Sequence, residues 1–201
     1  HPRRNLGDMK SLEGSIRTNG LLEPLTVCKS DDGVTYMVID GPRRLTVIAD
    51  FGWKAVPCIV LESMPLGEIA HFAFEKNMER KSLSPIEIAL HLKSMQDKYG
   101  YSQRDLETLG YGSLAQISQK ISLLNLPKLV QERIEKCELT TAHGIQLVKL
   151  PKTKQQEKMA ERAVENEWTA KKLGIHIKRF LDKGKKPADD KVKIPEGDVP
   201  G

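Results

Sequence analysis

A glycine followed by two arginines marks the point where a strand-like segment gives way to a helix-like one. The segment is Gly41-Pro42-Arg43-Arg44, and it follows Val38-Ile39-Asp40. Backbone N–H groups at a helix N-terminus, together with two guanidinium groups, can form a site for phosphate oxygens. An isolated arginine pair, however, more often covers protein surface than binds an anion. The phosphate site is therefore a hypothesis that needs a second group of residues.

A second polar pair supports this hypothesis. Asn77 and Arg80 are three residues apart near the end of a helix-like segment, so they lie on one face of that helix. An amide and a guanidinium group placed there could converge on the same anion. The alternative is a capping amide beside a solvated arginine. Both interpretations stay open on these residues alone.

The hydrophobic pattern shows which elements must position these side chains. Helix and strand signals alternate in the N-terminal part, which predicts a mixed α/β layer. Asp31-Asp32-Gly33 is a hairpin signal between two strand-like runs, and Pro42 is favourable in the first turn of a helix. The predicted helices cover residues 9–19, 42–51 and 65–78, and the predicted strands cover 25–29, 35–39 and 55–61.

From Ser84 onward the pattern is helical. Ser84-Pro85-Ile86-Glu87 is a capping box with proline at the first helical position. Ser102 caps a short helix, Gly110-Tyr111-Gly112 forms a tight turn, and Ser113 caps the next helix, which together make a helix-turn-helix candidate. We predict an α+β protein with a mixed α/β domain over residues 1–81, an all-α helix-turn-helix domain over 82–181 and a flexible tail over 182–201.

The helix after Ser113 has two distinct faces. Its apolar stripe, predicted to face the core, is Leu114, Ile117, Ile121 and Leu124. The other face carries Ala115, Gln116, Ser118, Gln119 and Lys120. Glutamine can pair with adenine in the major groove, and Lys120 and Arg104 suit phosphates, so this is a candidate recognition helix. The alternative is the polar surface of an ordinary helical bundle.

Composition excludes several other classes of protein. The 201 residues carry a formal net charge of +5, a mild excess that favours a polyanionic partner. No apolar run is long enough for a membrane span or a signal peptide, so we expect a cytoplasmic protein without a membrane partner. The three cysteines, Cys28, Cys58 and Cys137, lack C-x-x-C spacing and are predicted to be small core residues and not a zinc site.

The order of these motifs resembles that of the ParB family. Six segments match family motifs in the same order along the chain, and the resemblance continues to about Leu150 and more loosely to Phe180. The segments are His1-Pro2-Arg3, Gly20-Leu21-Leu22-Glu23-Pro24, Gly41-Pro42-Arg43-Arg44, Lys76-Asn77-Met78-Glu79-Arg80, Leu83-Ser84-Pro85-Ile86-Glu87 and Leu123-Leu124-Asn125-Leu126-Pro127. The resemblance implies a ParB/sulfiredoxin-like N-terminal domain followed by a helix-turn-helix domain.

The resemblance also implies a pocket for CTP and its Mg²⁺. The residues expected near the base and ribose are Gly20, Leu21, Leu22 and Pro24. Those expected near the triphosphate are Gly41, Arg43, Arg44, Lys76, Asn77 and Arg80, with Asn77 next to the nucleotide-bound magnesium. Nucleotide binding would close the N-terminal domains of a homodimer into a clamp on DNA. A ParA-type ATPase would bind through regions outside this chain.

Three residues depart from the family pattern at this pocket. Pro42 and Lys76 stand where the family has glutamates, and Glu23 stands where glutamine is usual. Magnesium prefers carboxylate and phosphate oxygens, and a triphosphatase needs a group that orients water. Glu75 is about 100° away from Lys76 around the helix axis and is a poor substitute. We therefore expect CTP binding with slow or absent hydrolysis and assign no catalytic residue.

For DNA, the resemblance implies contacts from Ser102, Gln103, Ser113 and His143. Leu114 and Ile145 replace basic residues of the family, so the target can differ from the usual palindrome. With the residues of the candidate recognition helix, the expected DNA-binding set is Ser102, Gln103, Arg104, Ser113, Gln116, Gln119, Lys120 and His143. The expected partner is double-stranded DNA with a palindromic site, and the expected location is the nucleoid.

Two other functions compete with a nucleotide-gated clamp for plasmid or chromosome partition. One is a CTP-independent transcriptional regulator whose N-terminal domain serves only for dimerisation. The other is an enzyme of the related sulfiredoxin or nuclease type. Sulfiredoxin chemistry requires a reactive cysteine beside the phosphate site, and no cysteine is near Gly41 to Arg44 in the sequence. The sequence therefore favours a DNA-binding protein over this enzyme.

Overall fold

The structure is a computed structural model that describes residues 9–80 and 83–184, and the side chains of all of these except residues 79, 80, 183 and 184. It confirms the α+β fold class. The described elements, in chain order, are α1 (Met9–Asn19), β1 (Leu25–Lys29), β2 (Tyr36–Asp40), α2 (Pro42–Asp50), β3 (Cys58–Leu61), α3 (Leu66–Arg80), α4 (Pro85–Tyr99), α5 (Gln103–Thr108), α6 (Leu114–Ser122), a 3₁₀ helix (Leu123–Asn125), α7 (Lys128–Glu135), α8 (Thr141–Leu147), α9 (Thr153–Glu165) and α10 (Ala170–Gly184).

The chain forms two compact units, which meet in sequence at Ile117 and Ser118. The division predicted near residue 81 remains a prediction. Residues 1–8, which contain the first family motif, lie outside the described part of the chain, as does most of the predicted tail. Within the described ranges, no helix has both the length and the apolar character that crossing a membrane requires.

A three-stranded sheet with the order β2-β1-β3 forms the centre of the first unit. β1 pairs antiparallel with β2 and parallel with β3. The predicted hairpin is present, and the Asp32 carboxylate closes its turn by accepting hydrogen bonds from the backbone N–H groups of Val34 and Thr35. The strand predicted over residues 55–61 begins only at Cys58. Pro57 cannot donate to the ladder, and its carbonyl instead accepts the N–H of Leu25 at 3.1 Å.

The two N-terminal helices pack together beside the sheet. Ile16 of α1 and Val47 and Ile48 of α2 form a buried cluster, which the partly buried side chains of Leu12 and Leu21 complete. These apolar residues recur at helical spacing, so each helix presents one side to the other. This packing holds the side chains of α1 and of Leu21, in the loop after it, against α2.

In the helical part of the chain, side-chain caps fix the helix starts. Ser84 and Ser102 each cap a helix in a capping box, as the sequence predicts. The predicted core stripe of α6 is wrong at both ends. Leu114 is 38% exposed at the first turn. At the other end, α6 stops at Ser122, and the following 3₁₀ helix buries Leu123 and not Leu124.

The prediction for the cysteines is correct for one of the three. Cys28 is buried in β1, whereas Cys58 and Cys137 are exposed. Cys58 begins β3, which lies at the edge of the sheet among the described strands. Cys137 has a positive φ of 61° after the end of α7, a position that is not in the core.

Gly41 is required for packing as well as for its backbone conformation. It has φ of 90°, and a Cβ there would lie 2.6 Å from Leu25 Cδ2 and 2.9 Å from Arg44 Nε. Gly52 has a similar φ of 69°, but nothing lies within 4 Å of its Cβ position.

We expect Gly52→Ala to cost about 1 kcal/mol in the free energy of unfolding, because only the backbone is strained. Gly41→Ala should cost about 3 kcal/mol, because a steric clash is added. Urea unfolding measures both values, and equal losses would contradict the packing role.

Candidate anion site and nucleic-acid interface

The start of α2 has the features of an anion site. Gly41 provides the N-cap in the left-handed conformation, and Pro42 occupies the first turn. The first-turn N–H groups of a helix point outward from its N-terminus, where the helix dipole favours negative charge. Arg43, partly buried, belongs to this turn. The site therefore has backbone and guanidinium donors at one helix end.

Arg44 is bound by the protein itself. Its side chain is only 11% exposed. One guanidinium nitrogen donates to the backbone carbonyls of Glu23 and Pro24, at 2.5 and 3.1 Å, and the other donates to the Asp40 carboxylate at 2.9 Å. Arg44 thus ties the loop before β1 to the end of β2. Through this side chain the structure brings Glu23 and Pro24 to the start of α2.

The loop itself combines a fixed start with an exposed middle. Gly20 has φ of 70°, and its N–H bonds to the Ile16 carbonyl at the end of α1. Leu21 packs on the core, whereas Leu22 is 75% exposed. Pro24 presents its carbonyl to Arg44. The loop is therefore held at both ends while Leu22 projects outward.

The predicted residues of α3 are placed less directly. α3 packs against β2, the strand that leads into Gly41. Asn77 donates one amide hydrogen to the Ala73 carbonyl at 2.7 Å, and Lys76 lies with its ammonium group 5.9 Å from the centre of the Phe72 ring. The side chain of Arg80 lies outside the described residues. The convergence of this group with Arg43 on one anion stays a prediction.

The donors at this site suit an anion better than a metal ion. Arg43 and the first-turn N–H groups offer hydrogen-bond donors, whereas the Asp40 carboxylate accepts from Arg44. Among the described residues, no three His, Cys, Asp or Glu side chains cluster in a way that could hold a metal ion. The residues therefore fit a phosphate group, and a magnesium ion here would rely on oxygen atoms that a nucleotide brings.

In the helix-turn-helix segment, several residues predicted to contact DNA also cap the starts of helices. Ser102 Oγ accepts the N–H of Asp105, and hydrogen bonds from Ser102 lower the pKa of the Asp105 carboxyl. Ser113 donates its N–H to Gln116 Oε1 at 3.0 Å, so the Gln116 side chain caps α6. Arg104 and Gln119 are exposed and Gln103 and Lys120 are partly buried. Arg104 and Gln119 are thus accessible to DNA, as are the exposed capping residues Ser102, Ser113 and Gln116.

His143 is enclosed by protein. It is 8% exposed, and its Nδ1 atom accepts the backbone N–H of Thr140 at 3.1 Å. The proton is therefore on Nε2, which donates to the Trp168 carbonyl at 2.7 Å. In this structure His143 connects the start of α8 to the segment before α10. Its contact with DNA remains a prediction.

A buried polar cluster was missed by the sequence reasoning. Tyr111, from the turn before α6, has its hydroxyl 2.6 Å from Nδ1 of His71 on α3 and 2.7 Å from Nε2 of His91 on α4. Phe74 stacks on His91 with ring centres 3.7 Å apart. Burial raises the pKa of Tyr111, with contributions from Glu75 and Tyr101. The members are 20 and 40 residues from Tyr111 in sequence, so no local motif could reveal the cluster.

Comparison with known proteins agrees with this architecture. A model of the ParB N-terminal domain matches residues 1–77, and a model of the ParB helix-turn-helix domain matches residues 81–182. The chain belongs to the ParB family. The crystal structure of the C-terminally truncated chromosome-partitioning protein ParB from Caulobacter crescentus, complexed to the centromeric parS site, is similar with a TM-score of 0.63 and 24% identity, over 89% of this chain and 92% of that one. This likeness shows the shared fold.

Two curated relatives are nucleoid occlusion proteins. The protein from Bacillus licheniformis is 30% identical over 186 residues, which are 92% of this chain and 65% of that protein. The protein from Geobacillus thermodenitrificans is 28% identical over 180 residues, which are 89% of this chain and 63% of that protein. The chain thus spans less than two thirds of the length of these relatives.

The buried cluster makes stability depend on pH. Burial, with the neighbouring charge of His71, lowers the pKa of His91 to about 4 from an ordinary 6.5. Between these two values the unfolded chain binds a proton that the folded protein does not. The stabilising contribution is therefore full above pH 6.5 and is lost as the pH falls toward 4.

We expect the melting temperature to fall with acidification in this window, and to fall less in His91→Gln. Glutamine places an N–H donor near the position of Nε2 but does not titrate. Thermal unfolding followed by circular dichroism at several pH values measures this difference. His176→Gln serves as the control for removing a histidine elsewhere. Equal pH dependence in the wild type and His91→Gln would contradict the assigned cause.

Proposed function

We propose that this chain binds double-stranded DNA through α6 and binds CTP at the N-terminus of α2, as part of a DNA clamp used in partition or nucleoid occlusion. The observation that carries the proposal is the order of a ParB N-terminal domain and a ParB helix-turn-helix domain along one chain. The names of the relatives and of the Caulobacter crescentus protein support both cellular roles.

For DNA binding, the exposed side chains have different proposed roles. Arg104 at the start of α5 is suited to a phosphate, which orients a protein on DNA without reading sequence. Gln119 on the exposed face of α6 can pair with the edge of an adenine. Leu114, exposed in the first turn of α6, can contact a thymine methyl group. The departure from a basic residue at position 114 then alters the preferred sequence and need not abolish binding.

For nucleotide binding, Arg43 is the proposed phosphate ligand, and Arg44 acts by positioning the loop. Because Arg44 holds the carbonyls of Glu23 and Pro24, residues 20–24 are kept beside the start of α2, where the base and ribose would lie. Lys76 would add positive charge near the phosphates. Magnesium, when bound through the nucleotide, would neutralise phosphate charge. With Pro42 and Lys76 in place of the family's glutamates, hydrolysis should be slow or absent.

Assembly is part of the proposal. A homodimer with a palindromic DNA site follows from the resemblance, since a twofold protein reads a twofold site. A ParA-type ATPase is the proposed partner for regions outside this chain.

A second candidate function is that of a CTP-independent transcriptional regulator. The engagement of Arg44 by the protein is compatible with this alternative, because one of the two predicted phosphate ligands then serves the fold.

Arg43→Ala tests the nucleotide site. We expect CTP affinity to fall roughly tenfold or more in calorimetric titration, because a charge-assisted hydrogen bond to phosphate is lost. Arg17→Ala is the matched control, since Arg17 is an exposed arginine of the same unit and pairs with Glu13. Titrations with and without Mg²⁺, beside a phosphate-release assay, test the predicted slow hydrolysis. Unchanged affinity in Arg43→Ala would place the phosphates elsewhere, and a wild type that ignores CTP would support the regulator.

Arg104→Ala tests the DNA interface. A randomised pool of duplexes is first enriched by the wild-type chain to find its preferred site. We expect Arg104→Ala to weaken binding to all duplexes and to reduce the slope of log affinity against log salt by about 1, as loss of one phosphate contact requires. Arg162→Ala on α9 removes the same charge from another exposed position. An identical salt slope for Arg104→Ala and the wild type would overturn the assignment.

A further inference from the structure

The turn that precedes α6 is held by a side chain that does not belong to the proposed DNA surface. Gly110 and Gly112, with φ of 87° and 107°, flank Tyr111. The Tyr111 side chain turns inward, and the residue is only 8% exposed. Its hydroxyl is bound by His71 of α3 and His91 of α4. One phenol thus connects two helices to the start of a third.

The hydrogen bonds in this cluster run in one direction. Glu75 Oε1 lies 3.6 Å from Nε2 of His71, which favours a proton on that nitrogen and leaves Nδ1 as an acceptor. Tyr111 therefore donates its hydroxyl proton to His71 Nδ1 and accepts the Nε2–H of His91. Phe74 lies flat against His91, with an interplanar angle of 4°, and so fixes the plane of that ring. Each polar group has a defined role that its neighbours set.

Backbone contacts connect the position of Tyr111 to the start of α6. The Tyr111 N–H bonds to the Leu106 carbonyl at 3.1 Å, which secures the turn to the end of α5. A Cβ at Gly112 would lie 2.5 Å from Gln116 Oε1, the same atom that accepts the Ser113 N–H. The turn and the first residues of α6 are therefore in close contact. A displaced Tyr111 would displace the cap of the helix.

We propose that Tyr111 is a positioning residue for DNA recognition, whose hydroxyl, held by His71 and His91, fixes the first turn of α6. The inference rests on the proposed DNA-binding function. Reading a base edge requires a side chain to be held within about 0.5 Å of its place, whereas a phosphate contact tolerates displacement. Loss of the hydroxyl should therefore reduce sequence discrimination more than it reduces non-specific binding.

The central variant is Tyr111→Phe, which removes the hydroxyl and keeps the ring. We expect the ratio of specific to non-specific DNA affinity to fall roughly tenfold, the effect of one base contact, while non-specific affinity stays unchanged. The specific probe is the duplex enriched by the wild type, and the non-specific probe is a scrambled duplex of equal length. Tyr99→Phe is the matched control, because Tyr99 is 37% exposed at the end of α4. If Tyr111→Phe has the same ratio of specific to non-specific DNA affinity as the wild type, the proposal is overturned.

Substitutions of His71 separate positioning from general stability. Asparagine can place an acceptor near the position of Nδ1, so His71→Asn should retain most of the discrimination, whereas His71→Ala should behave like Tyr111→Phe. Equal losses of discrimination in the two His71 variants would contradict a role for this hydrogen bond. A melting temperature lowered in all variants with discrimination intact would show a structural role alone.

Hydrogen exchange without DNA tests the role of Tyr111 independently of the proposed DNA binding. Hydrogen exchange of the backbone amides in residues 110–117 should be at least several-fold faster in Tyr111→Phe than in the wild type or Tyr99→Phe, because local opening becomes easier. If the wild type enriches no duplex, the proposed DNA-binding function fails, and the exchange rates still decide whether Tyr111 fixes α6. Equal exchange in all three proteins would overturn the positioning role.

Discussion

The candidate anion site depends on one buried guanidinium group. Arg44 holds the carbonyls of Glu23 and Pro24 and the carboxylate of Asp40 at once. A buried charge is costly unless it is paired and fully hydrogen-bonded, and removing one partner of such a pair costs roughly 3–5 kcal/mol. Because Arg44 has both an ion-pair partner and two carbonyl acceptors, this cost is offset. The loop, the strand end and the helix start therefore keep one arrangement.

A second constraint acts at the same place. Gly41 allows the chain to turn from β2 into α2, and the missing side chain makes room for Leu25 and Arg44. The glycine and the buried arginine are thus complementary, because a larger residue at position 41 would displace the guanidinium. Within the segment Gly41-Pro42-Arg43-Arg44, the glycine and Arg44 therefore have structural roles, because they shape the site. Arg43 and the helix N-terminus are the proposed anion contacts.

How far the sequence predicts the structure depends on the range of each interaction. Ser84, Ser102 and Asp32 were predicted correctly because each caps or closes backbone within three residues of itself. The two carbonyl partners of Arg44 and the cluster around Tyr111 could not be predicted, since they join residues about 20 to 40 positions apart. The exposure of Leu114 was missed because periodicity identifies an apolar face but not where the packing on that face ends.

The carboxylates near the candidate anion site already have partners, which bears on the proposed binding without rapid hydrolysis. Asp40 is the carboxylate next in sequence to Gly41, and it is paired with Arg44. If a metal ion recruited Asp40, the buried guanidinium would lose its nearer counter-charge, at 2.9 Å, and keep the exposed carboxylate of Glu23 at 3.4 Å. Glu75 on α3 is directed toward His71. Using Asp40 as a metal ligand would therefore weaken the pairing of a buried arginine, which supports the proposal of nucleotide binding with slow or absent hydrolysis.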